Sequence, residues 1–253
     1  METEKVINKI VGWLTEQLIH SDQKGFVIGV SGGVDSAVTS TLCAKTGYPI
    51  IVLNLPINQA NDQHNRSNEH INWLKTKFDN VKHYTVDLTS VYDSFKEAVP
   101  HCDELALANS QSRIRMTTIY SFANYNNFLV AGTGNKVEDY GVGFFTKYGD
   151  GGVDISPIAD LLKSEVYGLA KALNIIQTIQ DAPPTDGLWG DNRTDEEQIG
   201  ASYDELEWAL NYYDQFGSSI TGLSPRQREV LRIYVNRHVG NKHKLLTPPV
   251  CEL

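Results

Sequence analysis

The sequence is short of several things, and each shortage removes a class of protein. Its 253 residues include only three cysteines, Cys43, Cys102 and Cys251, and no two share a motif spacing. That argues against a disulfide framework and against a Cys-type zinc site. Basic residues are outnumbered, 22 Lys plus Arg against 31 Asp plus Glu, for a net charge of −9. Such a chain is a poor general binder of nucleic-acid backbones, although local basic sites for small phosphates remain open to it. No apolar run approaches the roughly 18 residues of a membrane span. The longest, near Phe26–Val30 and Ile50–Leu53, have the length of buried strands. The start, Met1-Glu-Thr-Glu-Lys5, lacks the basic and apolar regions of a signal peptide, so a cytoplasmic protein is expected. Neither Gly-x₄-Gly-Lys-Ser/Thr nor Gly-x-Gly-x-x-Gly occurs, which excludes a Walker A loop and the usual dinucleotide fingerprint. There is no internal repeat and no low-complexity segment.

What is present is ordinary globular composition, 41% hydrophobic and 21% charged. A chain of this length can bury about 70% of its unfolded surface without a staple, and residues 1–253 are expected to form one domain. Val6, Ile10, Trp13, Leu14 and Leu18 recur at helical spacing over 5–19. Strands are expected at 25–30, 48–55, 81–88 and 127–132, with a short fifth at 154–158. Helices are expected at 37–45, 68–78, 90–99, 104–125, 161–173, 202–214 and 224–238, the last capped by Ser224 with Pro225 at its first position. Residues 58–68 read as a polar loop. Strand and helix alternate through the first two-thirds, which predicts an α/β fold: a doubly wound, mainly parallel sheet with helices on both faces and extra C-terminal helices. The polar stretch 181–198, with Pro183, Pro184, Gly187 and Gly190, is too long for a mere connector and reads as a lid-like loop.

The most informative residues are Ser31-Gly-Gly-Val-Asp-Ser36, between an apolar strand and a helix. Ligands bind open α/β sheets at this carboxyl edge. Two glycines let the backbone approach a ligand closely. The N–H groups of Gly32, Gly33 and Val34 and the hydroxyls of Ser31 and Ser36 can ring a pyrophosphate, helped by the positive end of the helix dipole. Asp35 would repel phosphate unless a cation lies between them, which suits it to Mg²⁺. Ser-Gly-Gly-x-Asp-Ser resembles the PP-loop of the ATP-pyrophosphatase family, whose members split ATP between its α and β phosphates and activate a substrate as its adenylate. NAD, GMP and asparagine synthetases and tRNA-modifying ligases all belong to it, and the loop alone does not choose among them.

Further segments do choose. Asn109-Ser-Gln-Ser-Arg-Ile-Arg-Met116, Gly132-Thr133 with Glu138, Phe144-Phe-Thr-Lys-Tyr-Gly-Asp-Gly-Gly152, and Ala182-Pro-Pro-Thr-Asp-Gly-Leu-Trp189 followed by Thr194-Asp-Glu196 and Tyr203-Asp-Glu205 all resemble the ammonia-dependent NAD synthetases. The resemblance covers nearly the whole chain. It implies ATP-dependent amidation of deamido-NAD by ammonia through an acyl adenylate, with Mg²⁺ as cofactor and a homodimer with substrate at its interface. It implies that Gly29, Val30, the 31–36 loop, Thr133, Lys163 and Thr185 contact ATP. Asp35 and Glu138 would share the metal. Arg113, Lys147, Asp154, His243 and Lys244 would hold the dinucleotide, the last two from the partner subunit. Arg113 and Arg115 lie about 200° apart on a helix, so one can face a ligand while the other faces away. Lys163 would offset charge in the transition state. Asp150 either takes a proton from the attacking nitrogen or serves the Asp-Gly-Gly turn. Trp189 reads as a clasp on the closed loop.

Three departures stand out. Gly134-Asn-Lys136 is nearer the glutamine-dependent branch than the usual Asp-His pair of the small enzymes; one extra residue lies between Glu138 and Phe144; and the tail, Pro248–Leu253, is short. The alternatives to the family reading are another PP-loop adenylating ligase, acting on tRNA or a nucleotide, and a non-catalytic ATP-binding module.

Overall fold

The computed structural model describes residues 2–58, 61–99, 101–185, 187 and 194–252. Four strands, β1 (Phe26–Gly29), β2 (Ile50–Asn54), β3 (Val81–Thr85) and β4 (Leu129–Val130), form one sheet in the order β3-β2-β1-β4. Every pairing is parallel, with Phe26 opposite Ile50 and Leu129, and Ile50 opposite Val81. The central strands are apolar at successive positions, Phe26–Ile28 and Ile50–Leu53, because both faces are covered. Phe26, Ile28, Ile50 and Val52 enter the layer of α1 (Thr3–Ser21), α2 (Val34–Lys45) and α6 (Lys163–Ala172). Val27, Ile51 and Leu53, one residue out of phase, enter the opposite layer with Tyr92 of α4 (Thr89–Ala98) and Met116, Ile119 and Ala123 of α5 (Glu104–Asn126).

A third apolar cluster lies beyond the sheet. Val137 and Val142 of a π-helix, Lys136–Val142, pack on Leu206, Ala209 and Leu210 of α9 (Tyr203–Phe216) and on Val230 and Tyr234 of α10 (Pro225–Asn241). The π-helix starts from Asn135, whose side-chain oxygen accepts from Val137 N and Glu138 N, and stops at Gly143, which has φ 66°. Ser202, with Glu205, caps α9, and Ser224, with Gln227, caps α10 with Pro225 in its first turn. A short helix, α7 (Gln177–Gln180), precedes the 181–198 region, and another, α8 (Asp195–Ile199), forms its end. Among the described residues no helix is long and apolar enough to cross a membrane.

Several boundaries differ from expectation. The expected fifth strand at 154–158 reduces to one bridge, Ala131 with Ile155. Helix α3 covers Asn61–Lys77, not 68–78. Its first turns carry no apolar period; they dock by polar contacts, Ser67 Oγ donating to Val30 O at 2.8 Å and Asn54 Nδ2 to Asn68 Oδ1 at 3.0 Å. Helix α2 starts at Val34, three residues early, so the loop's last three residues form the helix's first turn, with Gly33 as its cap. Part of the 181–198 loop, including Trp189, lies outside the described residues, and its end is helical as α8.

Candidate active site

At the carboxyl ends of β1, β2 and β4 lies a cavity of about 700 Å³. The loop after β1 forms one wall. Its shape is held locally: Ser36 Oγ accepts from Ser31 N at 3.2 Å and donates to Gly33 O at 3.0 Å, while Ser31 Oγ accepts from Gly33 N at 3.3 Å. Gly32 turns the chain at φ 87°. That turn leaves Gly32 itself buried and off the cavity wall, whereas Gly29, Val30, Ser31, Gly33, Val34, Asp35 and Ser36 line it. The first turn of α2 carries unsatisfied N–H groups beside the loop, which suits an anion.

Opposite the loop a charged network closes over long distances in sequence. Lys163 Nζ, at the start of α6, donates to Asp35 Oδ2 at 2.6 Å and to Glu138 Oε1 at 2.7 Å. Asn135 Nδ2 bridges the same two carboxylates, 3.1 Å from Asp35 Oδ1 and 2.8 Å from Glu138 Oε2. The Tyr203 hydroxyl donates to Glu138 Oε1 and lies 3.2 Å from Asp195 Oδ2. Burial alone would lower the Lys163 pKa, but the charges of Asp35 and Glu138 overcome it and raise it. Burial raises the Glu138 pKa, with Lys163 pulling against it. Two carboxylates converging on one cation is a donor set that suits a divalent ion carrying nucleotide phosphates.

The far side of the cavity holds most of the substrate candidates. Thr133, Arg113, Lys147, Asp150, Thr185, His243 and Lys244 all line it. Arg113 Nε donates to Lys147 O at 3.2 Å, and Lys147 Nζ donates to His243 O at 2.9 Å. Lys244 Nζ donates to Gly143 O and Phe145 O, each at 2.9 Å. The basic pair lines the cavity of its own chain. Asp150 Oδ1 accepts from Ser112 Oγ at 2.6 Å and from Thr146 N at 3.0 Å, so the carboxylate organises the Asp-Gly-Gly turn while it faces the cavity. Burial pushes its pKa up, and these two donors pull it back.

Asp154, expected among the dinucleotide-binding residues, lies apart from this cavity. It is exposed and lines a separate shallow recess with Trp13 and Tyr140. Its carboxylate accepts from Val130 N at 2.8 Å and Tyr120 Oη at 2.9 Å. Those bonds dock the 152–155 segment on the end of β4 and turn Asp154 away from the cavity.

Other lining residues were assigned no binding role from sequence. Arg115 joins Arg113 on the wall, its Nε donating to Leu55 O at 3.0 Å. Asp139 also lines it, directly after Glu138. A π-helix holds one residue more per turn than an α-helix, so the extra residue before Phe144 is absorbed there. A Cβ on Gly134 would lie 1.9 Å from Asp139 Oδ2, so the bare glycine leaves room for that carboxylate. Burial, and then the charges of Asp150, Glu138 and Asp35, push the Asp139 carboxyl well above the usual range. Asn135, Tyr203 and Asp195 lay in segments noted from sequence but were given no role there; the extra residue and the Gly134 departure were the hints of Asp139.

A parallel sheet with helices around it and a Ser-Gly-Gly-Val-Asp-Ser loop at its carboxyl edge define a PP-loop α/β enzyme. The comparisons narrow this. The profile of the NAD synthase family matches residues 6–248, and the chain belongs to that family. An NH(3)-dependent NAD(+) synthetase of Methanocaldococcus jannaschii is 35% identical over 262 residues, covering 99% of this chain and 97% of that protein. The solved NMN synthetase of Francisella tularensis superposes with a TM-score of 0.87 at 31% identity, over 100% of both chains. The NH3-dependent NAD synthetase of Campylobacter jejuni gives 0.81 at 26%, also over 100% of both. The family makes the protein a ligase that forms a C–N bond in ammonia-dependent NAD synthesis.

Proposed function

We propose that the chain converts deamido-NAD to NAD as follows. The 31–36 loop and the start of α2 hold the ATP phosphates. The nicotinate carboxylate of deamido-NAD attacks the α-phosphorus, the bond to the β-phosphate oxygen breaks, and pyrophosphate leaves. Ammonia then attacks the acyl carbon, AMP departs with the carboxylate oxygen, and one proton of the nitrogen passes to a base. Asp150 is the carboxylate on this wall held ready for that proton. Lys163 offsets charge on the phosphates, and Arg113, Lys147, His243 and Lys244 bind the acid substrate. Asp35 and Glu138 would hold Mg²⁺, which when bound neutralises phosphate charge. The Lys163 ammonium already held between these two carboxylates supports a cation there.

The observation that carries the reading is the meeting, in one cavity, of a backbone phosphate cradle, two carboxylates sharing one cation, and a basic wall. Incubation with ATP, Mg²⁺, ammonium and deamido-NAD should yield NAD, AMP and pyrophosphate in equal amounts. AMP formed only with tRNA, or ATP bound without turnover, would sink it. The Francisella neighbour supports a second reading in which the acid is a mononucleotide. Running nicotinate mononucleotide beside deamido-NAD and comparing kcat/KM decides between them.

A homodimer and a cytoplasmic location complete the proposal. The exposed side chains of Tyr84, Val91 and Tyr125 lie on β3, α4 and α5 and support a partner on that side. Light scattering giving a monomer mass would remove the dimer.

A further inference from the structure

We infer that Tyr203 is a positioning residue: its hydroxyl and ring fix Glu138 and Lys163 in the arrangement that receives a divalent cation with the nucleotide. The inference rests on the metal reading of Glu138 given above. Tyr203 is 8% exposed, yet its hydroxyl is spent on the oxygens of functional carboxylates. It donates to Glu138 Oε1, the same oxygen that takes Lys163, and sits 3.2 Å from Asp195 Oδ2. A hydroxyl has one proton and can serve one carboxylate at a time. With Glu138 bare, the proton steadies its Oε1. When a cation engages that oxygen, the hydroxyl has a second acceptor within reach and need not be left unpaired. The ring adds a separate restraint, with Lys163 Nζ 4.9 Å from its centre.

The tyrosine is itself held. Its N–H donates to Glu196 Oε1 at 2.8 Å, and it opens α9 directly after the Ser202 cap. Ser202 N in turn donates to Glu205 Oε2 at 2.9 Å, and Arg226 clamps the same carboxylate through Nη2 at 2.7 Å. The Glu138 carboxylate therefore has one oxygen fixed by Asn135 and the other by Lys163 and Tyr203. Groups that orient a metal ligand without touching the ion typically alter metal affinity 10- to 100-fold when removed.

The test is calorimetric binding of a non-hydrolysable ATP analogue at a series of Mg²⁺ concentrations, with Mn²⁺ binding followed by electron paramagnetic resonance. Tyr203→Phe keeps the ring and loses the hydroxyl. The half-saturating Mg²⁺ should rise about tenfold, with analogue affinity in EDTA unchanged within twofold. Leu206→Ala, one turn further along the same helix, should lower the melting temperature and leave the Mg²⁺ requirement unchanged. An unchanged requirement in Tyr203→Phe overturns the inference, and so does an equal rise in Leu206→Ala. If Tyr203→Phe does not fold, Ser202→Ala loosens the cap instead; a smaller rise, about threefold, supports the inference, and none overturns it. Wild-type protein that binds the analogue equally well with and without Mg²⁺ removes the metal reading itself.

Discussion

The two walls of the cavity are built on different principles. The backbone turn of the 31–36 loop is held by contacts no more than five residues apart, and only the Asp35 side chain reaches across to the facing wall. The facing wall is held by side chains brought from 65, 100 and 128 residues away. A local wall keeps its shape wherever the strand–turn–helix unit forms. A long-range wall exists only when the sheet, the π-helix and the C-terminal helices are all docked. The first should therefore lose ligand affinity when altered and little else; the second should lose stability and chemistry together.

Lys163→Met gives the sharpest break. Lys163 is 3% exposed and is the shared partner of Asp35 and Glu138. Removing one member of a buried ion pair costs about 3–5 kcal/mol. Glu138 can soften this by taking a proton, since burial already raises its pKa. Loss of a positive charge aimed at developing phosphate charge costs about 10²–10³ in kcat. Denaturant melts and steady-state rates should show both losses. A variant with wild-type stability and only weaker ATP binding would make the two walls equivalent and break the comparison.

The same contrast explains what could be read without coordinates. The loop was legible because its chemistry lies in six adjacent residues, and the sheet because β1 and β2 are apolar at successive positions. Lys163, Glu138 and Arg113 came through family resemblance, since nothing near each in sequence marks it. Tyr203 and Asp195 were noted within family-like segments but given no role, because the network they join is built from partners on other elements. The place of Asp154 in a separate recess was not legible, because its two hydrogen bonds, to Val130 and Tyr120, are settled by how the 152–155 segment docks. The extra residue before Phe144 was visible, but its consequence, a π-helix that puts Asp139 on the wall beside Glu138, depends on packing against α9 and α10.

A second prediction tests the support beneath the loop. His70 on α3 is fully buried, its Nε2 is 3.0 Å from Ser40 Oγ of α2, and it stacks on Trp73 at 5.5 Å. Burial pushes its pKa down from 6.5 to about 3. Below pH 6.5 the unfolded chain takes a proton that the folded chain refuses, so unfolding gains on folding as pH falls toward 3. Above 6.5 neither state carries it and the effect vanishes. The contribution is about 3 kcal/mol between pH 6.5 and 4, as an order of magnitude. Urea midpoints against pH should fall more steeply in wild type than in His70→Asn over that window, and equal slopes would contradict a neutral buried His70.

The smallest expected effect is the most discriminating. Ser36→Ala removes the hydroxyl that accepts from Ser31 N and donates to Gly33 O. A hydrogen bond of this kind is worth about 1 kcal/mol net, and the exposed Ser31 can turn to water, so stability should drop by about that much. The loop would lose its inner tie, and ATP affinity should fall about tenfold, the equivalent of 1.4 kcal/mol. The Mg²⁺ requirement should not move, because Asp35 and Glu138 keep Lys163 and Asn135. Calorimetry on Ser36→Ala beside Lys163→Met therefore separates the walls. Affinity should move with only the small loss of stability in the first, and affinity, stability and rate should all fall strongly in the second. A raised Mg²⁺ requirement in Ser36→Ala would mean that the loop and the carboxylate network move as one body, and that the local wall is not local.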